Sequence, residues 1–396
     1  MGKKQFSALH RNSVHPFPAR MAASIPWALL SSAKTPLAVL DPMMGSGTTL
    51  SVAKALGHKA IGFDTDPLSV ILSSTLCSRI DPDRLRTAGE AVLQKARRLS
   101  VTYPSHADNE TRRFLRFWFD SVNRKQLARL ALAIQEVRDR SLRTWLWCCF
   151  SRLIISKQAG TSLALDLPHS RPHRGAKNAC VKAFDQFPRA IELLLKAAPF
   201  VAGRTVGPAV SIRRADARRL PLHNDSIDVA ITSPPYLNAL DYLRGHKFSL
   251  VWMGYRIEEI RSIRSSNIGA ELSLQSDDAS LAPLMKSFGR VHALSKRQQG
   301  MLVRYLVDMR AVVRELGRVI KPGGTLLMVI GDCQIAGIPI KNSRVLRRLA
   351  EEQDFQLQQI RRRRLPPNRR YLPPPSKDTA LSNRMRSEAI LTLRRR

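Results

Sequence analysis

The stretch of sequence that decides the fold runs Leu37-Ala38-Val39-Leu40-Asp41 and continues as Pro42-Met43-Met44-Gly45-Ser46-Gly47-Thr48-Thr49. An apolar run that ends in an acid, a glycine turn and a helix-forming segment that reaches Leu56 together indicate a strand, a loop and a helix. A second apolar run, Lys59 to Asp64, follows Gly57. Strands that alternate with helices predict an α/β fold with a parallel sheet.

The glycine loop has the features of a ligand site at the end of a strand. Gly45 and Gly47 allow the backbone to approach a ligand closely, and the amides that begin the following helix can bind a carboxylate or a phosphate. A dinucleotide fingerprint needs glycine where Leu50 stands, and a P-loop needs a lysine after its last glycine. Asp41 and Asp64, at two strand ends, suit a ligand with an ammonium group and a ribose diol. S-adenosylmethionine has both groups and a carboxylate, and the alternative is a turn that only packs helix on sheet.

The charge of the chain points to a polyanionic partner. Its 396 residues include 65 Lys and Arg against 31 Asp and Glu, a formal net charge of +34. Nucleic acid is the first candidate, and a role in solubility is the alternative. Hydrophobic residues make up 44% of the chain, enough for a sizeable core. Since no signal peptide or long apolar run is evident, we expect a cytoplasmic, nucleoid-associated protein.

The five cysteines have the spacing of neither a disulfide framework nor a zinc site, so we expect buried free thiols and no metal.

The pattern divides the chain into an α/β segment at 1–78, a mainly helical insertion at 79–208 and a second α/β segment at 209–396. Apolar stripes at helical spacing, such as Leu127, Leu130 and Ile134, are predicted to form the core of the insertion. Further strands are predicted at 209–213, 227–232 and 324–330, a turn at 321–324, a loop at 157–180, a mobile loop at 262–298 and a basic tail at 361–396.

A second motif, Ser233-Pro234-Pro235-Tyr236, follows the predicted strand that ends at Thr232. Two prolines make a rigid turn whose carbonyl oxygens can accept hydrogen bonds from an amino group, because proline has no amide hydrogen. Tyr236 offers a flat face to a base turned out of a duplex. The alternative is a stiff surface turn with an exposed tyrosine.

Together these segments resemble the amino-directed DNA methyltransferases, which methylate cytosine N4 or adenine N6. Asp41 to Thr49 is similar to the family's cofactor motif D-P-F-x-G-S-G-T-T, with Met43 in the phenylalanine position. Gly62 to Pro67 is similar to the next element, G-x-[DE]-x-[DN]-P, and Ser233 to Tyr236 to the catalytic motif [DNS]-P-P-[YFW]. The resemblance implies a doubly wound, Rossmann-like S-adenosylmethionine-dependent methyltransferase fold, with a seven-stranded, mostly parallel sheet, an antiparallel last strand and a mainly helical insertion.

The resemblance also implies roles for particular residues. S-adenosyl-L-methionine is the implied cofactor, with Asp64 on its ribose hydroxyls and Asp216 on its adenine amino group. The candidate cofactor-binding residues are Phe17, Pro18, Asp41, Pro42, Gly45, Ser46, Gly47, Thr48, Asp64 and Asp216. The candidate catalytic residues are Ser233, Pro234, Pro235 and Tyr236.

Serine at the first position of the catalytic motif favours cytosine N4, since Asp or Asn is commoner in the family's N6-adenine enzymes. Hydrogen bonds from the amino group to the Ser233 side chain and the Pro234 carbonyl would direct the nitrogen lone pair toward the methyl sulfonium. Methylation at cytosine C5 instead needs a cysteine nucleophile, which family enzymes of that kind carry after proline, and no cysteine here follows proline. Methylation of adenine N6, RNA methylation and non-catalytic nucleic-acid binding remain alternatives.

Double-stranded DNA is the implied partner, and a cognate restriction endonuclease is a further candidate. Within the insertion, residues 152–189 carry seven Lys or Arg against two Asp, which suits phosphate contact. Arg171 and Arg174 are candidates for base-edge or phosphate contacts, and a solvated charged loop is the alternative. Arg369 and Arg370, in a tail similar to that of relatives with S-P-P-Y, complete the candidate DNA contacts.

Overall fold

The computed structural model of this chain describes residues 13–17, 20–157, 160–169, 172–175, 177–199, 208–237, 241–269, 278–365 and 387–396. The helices are α1 (Ser24–Leu30), α2 (Thr48–Ala55), α3 (Pro67–Cys77), α4 (Pro82–Arg98), α5 (Asn109–Trp118), α6 (Ser121–Gln135), α7 (Arg140–Ile154), α8 (Ala183–Ala197), α9 (Leu243–Leu250), α10 (Ile257–Ser266), α11 (Leu281–Ser287), α12 (Lys296–Val319) and α13 (Asn342–Glu351). The strands are β1 (Ala38–Asp41), β2 (Lys59–Asp64), β3 (Ala164–Leu165), β4 (His173–Arg174), β5 (Val210–Arg214), β6 (Ile227–Thr232), β7 (Ile320–Ile330), β8 (Cys333–Ile335), β9 (Ile338–Ile340), β10 (Phe355–Arg364) and β11 (Ser387–Arg395).

Seven strands form one sheet in the order β5-β2-β1-β6-β7-β11-β10. The first five of these pair in parallel, whereas β11 runs antiparallel to both β7 and β10. Strand order reverses between β1 and β6, so the carboxyl ends of these two strands flank the crevice where doubly wound sheets bind ligands. The predicted Rossmann-like methyltransferase fold, including its antiparallel last strand, is confirmed.

The register brings the two motif loops to the same edge of the sheet. Leu40 of β1 pairs with Ile61 of β2 and with Ala230 of β6. Asp41, which follows Leu40, therefore lies beside the end of β6, where the turn that begins at Ser233 leaves the sheet. Apolar side chains are buried on both faces of the sheet, in two separate clusters.

Five helices, α4 to α8, form the core of the insertion, and its predicted helical character is confirmed. Leu127, Leu130 and Ile134 are fully buried there, as the helical spacing predicts. Four of these helices, α4 to α7, begin where an Asp side chain accepts hydrogen bonds from first-turn amides, which removes unpaired donors. These capping residues are Asp81, Asp108, Asp120 and Asp139.

The structure corrects four expectations made from the sequence. The described part of 262–298 is mostly helical and not a mobile loop, because Leu281, Leu284 and Phe288 are buried in the core. The described part of 157–180, predicted as a loop, is largely irregular but contains a hairpin of two short strands, β3 and β4, and one 3-10 turn at Leu167–His169. Residues 321–324, predicted as a turn, lie inside β7 at the point where its pairing with β6 shifts in register, and Gly323 has a φ of +74°.

The basic tail is the fourth correction, since it contributes to two strands of the sheet. The long strand β10 ends at Arg364, and β11 places Ala389, Leu391 and Leu393 in the core. The expectation of buried thiols holds for four cysteines, whereas Cys180 is exposed. No helix among the described residues is both long and apolar enough to cross a membrane.

Candidate active site

The cofactor loop is held to the end of β2 by backbone hydrogen bonds. The amide of Gly45 donates to Asp64 Oδ2 at 2.9 Å, and the amide of Met44 donates to the Phe63 carbonyl at 3.0 Å. Gly47 has a φ of +80°, and a Cβ there would lie 2.8 Å from Ser73 Oγ, so both its conformation and its surroundings require glycine. The loop is therefore a tight cradle that ends at the first turn of α2.

Of the two strand-end acids, Asp41 is buried and Asp64 is partly buried. Asp41 is only 3% exposed, and burial raises its pKa to about 6. Burial, reinforced by the neighbouring carboxylate of Asp66, raises the pKa of Asp64 to about 7. A buried carboxylate is stabilised by hydrogen-bond donors, and each oxygen of Asp64 accepts one backbone amide, from Gly45 or Asp66. The remaining lone pairs of Asp64 are available to ribose hydroxyl groups.

The Phe17 ring packs against the glycine loop at Gly45. A Cβ added at Gly45 would lie 3.4 Å from Phe17 Cζ, so ring and loop are in close contact. The Phe17 ring stacks on Tyr242 at the start of α9, with ring centroids 5.1 Å apart. The predicted neighbour Pro18 lies outside the described residues.

Asp216 lies at the same edge of the sheet, and its carboxylate is already hydrogen-bonded to Arg218. Arg218 donates to both of its carboxylate oxygens, at 3.0 Å from Nε and 2.6 Å from Nη2, and donates from Nη1 to Asp308 at 2.6 Å. Although partial burial alone would raise the pKa of Asp216, its hydrogen bonds with Arg218 hold that pKa below the usual value. An adenine amino group would therefore meet a charged carboxylate whose position Arg218 fixes.

The turn after β6 places the catalytic candidates over the crevice. The Ser233 hydroxyl donates to the Val329 carbonyl of β7 at 3.1 Å and lies 3.4 Å from the Tyr236 hydroxyl. A hydroxyl whose hydrogen is given to a carbonyl keeps its oxygen lone pairs as acceptors. Burial, with the Glu388 carboxylate nearby, raises the pKa of Tyr236 well above its usual value, so the phenol stays neutral.

One cavity of about 1400 Å³ collects most of the predicted residues. Its lining includes Phe17, Asp41, Pro42, Gly45, Ser46, Thr48, Asp64, Asp216, Ser233, Pro234, Pro235 and Tyr236. Gly47 is not among the lining residues and instead lies next to Ser73 of α3. Of the candidate DNA contacts, Arg174 is exposed in the β3–β4 hairpin, one residue after His173, which lines the cavity. Arg171, Arg369 and Arg370 lie outside the described residues.

Sequence reasoning missed a buried pair behind the cofactor loop. Asp66 Oδ2 bonds to Nδ1 of His246 in α9, and Asp66 also accepts the amide of Leu68 at 2.9 Å and so caps α3. The Phe17 ring lies 5.4 Å from the His246 ring. The acid was visible in the motif, but its partner is 180 residues away along the chain and carries no local signal.

Comparison with known proteins places this geometry in context. The N6/N4 methyltransferase family model, described as DNA methylase, matches residues 5–70. The chain is 24% identical over 375 residues to the type II methyltransferase M.BsoBI of Geobacillus stearothermophilus, covering 80% of this chain and 72% of the relative. It is 22% identical over 387 residues to the type II methyltransferase M.MvaI of Kocuria varians, covering 89% and 83%. A putative DNA modification methylase of Thermus thermophilus, solved with S-adenosyl-L-methionine, has a TM-score of 0.24 and 16% identity over 46% of this chain and 53% of that one.

The family match over residues 5–70 and the similarity to type II methyltransferases agree with the predicted resemblance to the amino-directed DNA methyltransferases, and the strand order is that of the predicted fold. The matching family model is that of a DNA methylase, and S-adenosyl-L-methionine is the cofactor that the sequence motifs imply. The residues present fit that cofactor: two carboxylates, the buried Asp41 and the partly buried Asp64, line the cavity and can accept hydrogen bonds from its ammonium and hydroxyl groups.

Proposed function

We propose that this chain transfers the methyl group of S-adenosylmethionine to an exocyclic amino group of a DNA base, and that the base is cytosine, methylated at N4. The observation that carries the proposal is the position of Ser233, which lines the cavity and whose hydroxyl donates to the Val329 carbonyl, so that its oxygen keeps lone pairs as acceptors. An acceptor at that position suits an amino hydrogen of the target base. Serine, in place of Asp or Asn, is what favours cytosine N4 over adenine N6.

The chain's own residues position the reaction. Asp64 would hold the ribose hydroxyls and Asp216 the adenine amino group, while Phe17 closes the methionine end of the cavity. Bound S-adenosylmethionine supplies an electrophilic methyl group. The Ser233 oxygen and the Pro234 carbonyl would accept the two amino hydrogens, which localises the nitrogen lone pair for attack.

No covalent enzyme intermediate is part of this mechanism. Burial raises the pKa of Cys77, Cys148 and Cys333 to about 12 and that of Cys149 well above its usual value, so these thiols are poor nucleophiles. Cys180 lines the cavity from the insertion but does not follow proline. Cys180→Ser is accordingly expected to keep its activity.

Tyr236 is proposed to stack on the flipped base. Tyr236→Ala should lose about 1–3 kcal/mol of base binding, whereas Tyr236→Phe keeps the aromatic face and should keep most activity. Equal impairment of the two variants in single-turnover methylation assays would assign the role to the hydroxyl beside Ser233 instead of the ring.

The experiment that tests the function is expression in a host without DNA modification, followed by digestion of the host DNA and mass spectrometry of the nucleosides. We expect N4-methylcytosine, and mapping of the modified positions then gives the recognition sequence. N6-methyladenine as the sole product would contradict the choice of base, modified RNA the choice of nucleic acid, and 5-methylcytosine the mechanism. The type II relatives favour a role in restriction-modification, with a cognate endonuclease as the protein partner to look for.

A further inference from the structure

Two charged residues that the mechanism has not used line the active-site cavity. Arg363, near the end of β10, and Glu388, near the start of β11, are direct cross-strand partners. Arg363 Nε donates to Glu388 Oε1 at 2.7 Å. Because β11 is antiparallel to its neighbours, the start of β11 and the end of β10 lie at the same edge of the sheet as the ends of β1, β2 and β6.

Both charged side chains of this pair are largely removed from water. The Glu388 side chain is 8% exposed and that of Arg363 is 28% exposed. Removing two charges from water is costly, and replacing a buried pair by apolar side chains is often neutral or stabilising. Among the described residues, the Arg363 guanidinium donates one hydrogen bond, from Nε to Glu388. The hydrogens of Nη1 and Nη2 are therefore available as donors at the cavity wall.

The pair faces the catalytic turn across the cavity. The strand order β6-β7-β11-β10 places the backbones near Ser233 and Arg363 three strand spacings apart, roughly 14 Å at about 4.8 Å each. Val329, whose carbonyl accepts the Ser233 hydroxyl, pairs with Ile390, which lies two residues after Glu388 and therefore on the same face of β11. Tyr236, which is proposed to stack on the target base, lines the same cavity as the turn and the pair.

We propose that Arg363, held in place by Glu388, reads the Watson–Crick edge of the flipped base and selects cytosine over adenine. This inference rests on the proposed function. With the amino group at Ser233 and Pro234, the far end of that edge points toward the pair. In cytosine the far atom is O2, an acceptor that a guanidinium N–H can pair with. In adenine the corresponding position is C2–H, which leaves the donor unpaired.

The cost of an unpaired buried donor sets the expected preference. A donor left without a partner in a closed pocket lowers affinity about ten- to hundredfold. Glu388 acts as a positioning residue, because its bond to Nε fixes the plane of the guanidinium and leaves the other two nitrogens free to pair.

The test uses the full-length protein and two duplexes that carry the mapped recognition sequence, with either cytosine or adenine at the target position opposite the same guanine. Single-turnover rates on both duplexes are measured for wild type, Arg363→Met, Arg363→Lys and Glu388→Gln. Arg361→Met is the matched control, because Arg361 is an exposed arginine on the same strand outside the cavity. S-adenosylmethionine affinity and melting temperature are measured for each variant.

We expect Arg363→Met to lower the ratio of the cytosine rate to the adenine rate about ten- to hundredfold, because cytosine loses the partner of its O2 and adenine no longer leaves a donor unpaired, so that the preference collapses. Arg363→Lys and Glu388→Gln should reduce the preference by less, and Arg361→Met should leave it unchanged, with cofactor affinity intact throughout. Equal slowing on both duplexes, or an equal loss of preference in Arg361→Met, would overturn the inference. If Arg363→Met does not fold, an unchanged preference in both Arg363→Lys and Glu388→Gln overturns it instead.

Failure of the underlying function gives a different result. Wild-type protein that yields N6-methyladenine and no N4-methylcytosine contradicts the proposed target base and, with it, the role of Arg363 in selecting cytosine. Wild-type protein that makes N4-methylcytosine, together with an unaltered preference in Arg363→Met, contradicts only the inference about Arg363.

Discussion

The carboxyl edge of the sheet and the β3–β4 hairpin of the insertion both border the cavity, but they are built differently. At the sheet edge, Asp64 is fixed by two backbone amides and Ser233 by a strand carbonyl. In the hairpin each strand has two residues, and His173 and Asp166, more than half exposed, are 3.8 Å apart. Arg174 stands 4.9 Å over the ring of Phe117, which is itself 50% exposed.

The difference indicates a division of labour. Groups that must align a methyl donor with an amino nitrogen need fixed positions, and the sheet edge provides them. Groups that meet a duplex can adjust on contact, and the exposed cationic and aromatic side chains of the hairpin suit that task. Substitutions at the sheet edge should therefore change the rate of transfer or cofactor affinity, whereas substitutions in the hairpin should change DNA binding.

The largest effect is expected for Ser233→Ala. Loss of the acceptor for the amino hydrogen should lower the single-turnover rate about a hundred- to thousandfold, comparable to the loss of one preorganised hydrogen-bonding group in other active sites. Cofactor affinity, measured by calorimetry, should stay unchanged because Ser233 is bonded to Val329 and not to the cofactor loop. A rate within a fewfold of wild type would place the amino acceptor elsewhere.

The next effect in size concerns the cofactor. Asp64→Ala removes acceptors for the ribose hydroxyls, a loss of about 1.5–3 kcal/mol, or roughly ten- to hundredfold in affinity. Calorimetric titration of S-adenosylmethionine into the purified variant measures it. Asp83→Ala, an exposed acid in the insertion, is the control and should bind normally. Unchanged affinity in Asp64→Ala would remove this residue from the site.

A pH effect on stability follows from the same carboxylate in the cofactor-free protein. Because burial raises the pKa of Asp64 from 3.8 to about 7, the folded chain holds a proton that the unfolded chain releases, and Asp64 destabilises the fold increasingly as pH rises from about 4 to about 7. Asp64→Asn removes this cost. Relative to wild type, the free energy of unfolding of Asp64→Asn should grow across that window and level off above it.

Urea unfolding at several pH values measures this difference. Asp83→Asn, at an exposed acid in the insertion, serves as the control for the loss of one negative charge. A difference between Asp64→Asn and wild type that does not change with pH would show that Asp64 is ionised without penalty in the folded chain.

The smallest effect is expected in the hairpin. If Arg174 meets only phosphate, Arg174→Ala should weaken binding to all sequences alike and reduce the salt slope by about one; if it pairs with guanine, it should lose about 1–3 kcal/mol and relax specificity at one position. Salt-dependent binding and mapping of methylated sites separate the cases. Wild-type affinity, slope and motif in Arg174→Ala would remove this residue from the DNA interface.

The two regions also differ in how far the sequence could predict them. Asp41, Asp64 and Ser233 each end a short apolar run, and their chemistry is local, so the site could be assembled from neighbouring residues. Strand β10 was missed because it lies at the edge of the sheet and most of its side chains are exposed, so it carries little apolar pattern.

Strand β11 was missed for another reason. Residues 387–395 contain the apolar run Ala389-Ile390-Leu391, but this run is short and stands in a tail whose composition is dominated by Lys and Arg. The Arg363–Glu388 pair depends on both strands, and the Asp66–His246 pair joins residues far apart in the chain. Neither pair could be found without the three-dimensional fold.

Methyl transfer to cytosine N4 can be followed by giving purified protein S-adenosylmethionine with a trideuterated methyl group and unmethylated DNA, and then analysing the nucleosides by mass spectrometry. We expect N4-methylcytosine that carries the deuterated methyl, formed by wild type and reduced about a hundredfold or more by Ser233→Ala. Label found in 5-methylcytosine or N6-methyladenine alone, or equal labelling by wild type and Ser233→Ala, would contradict it.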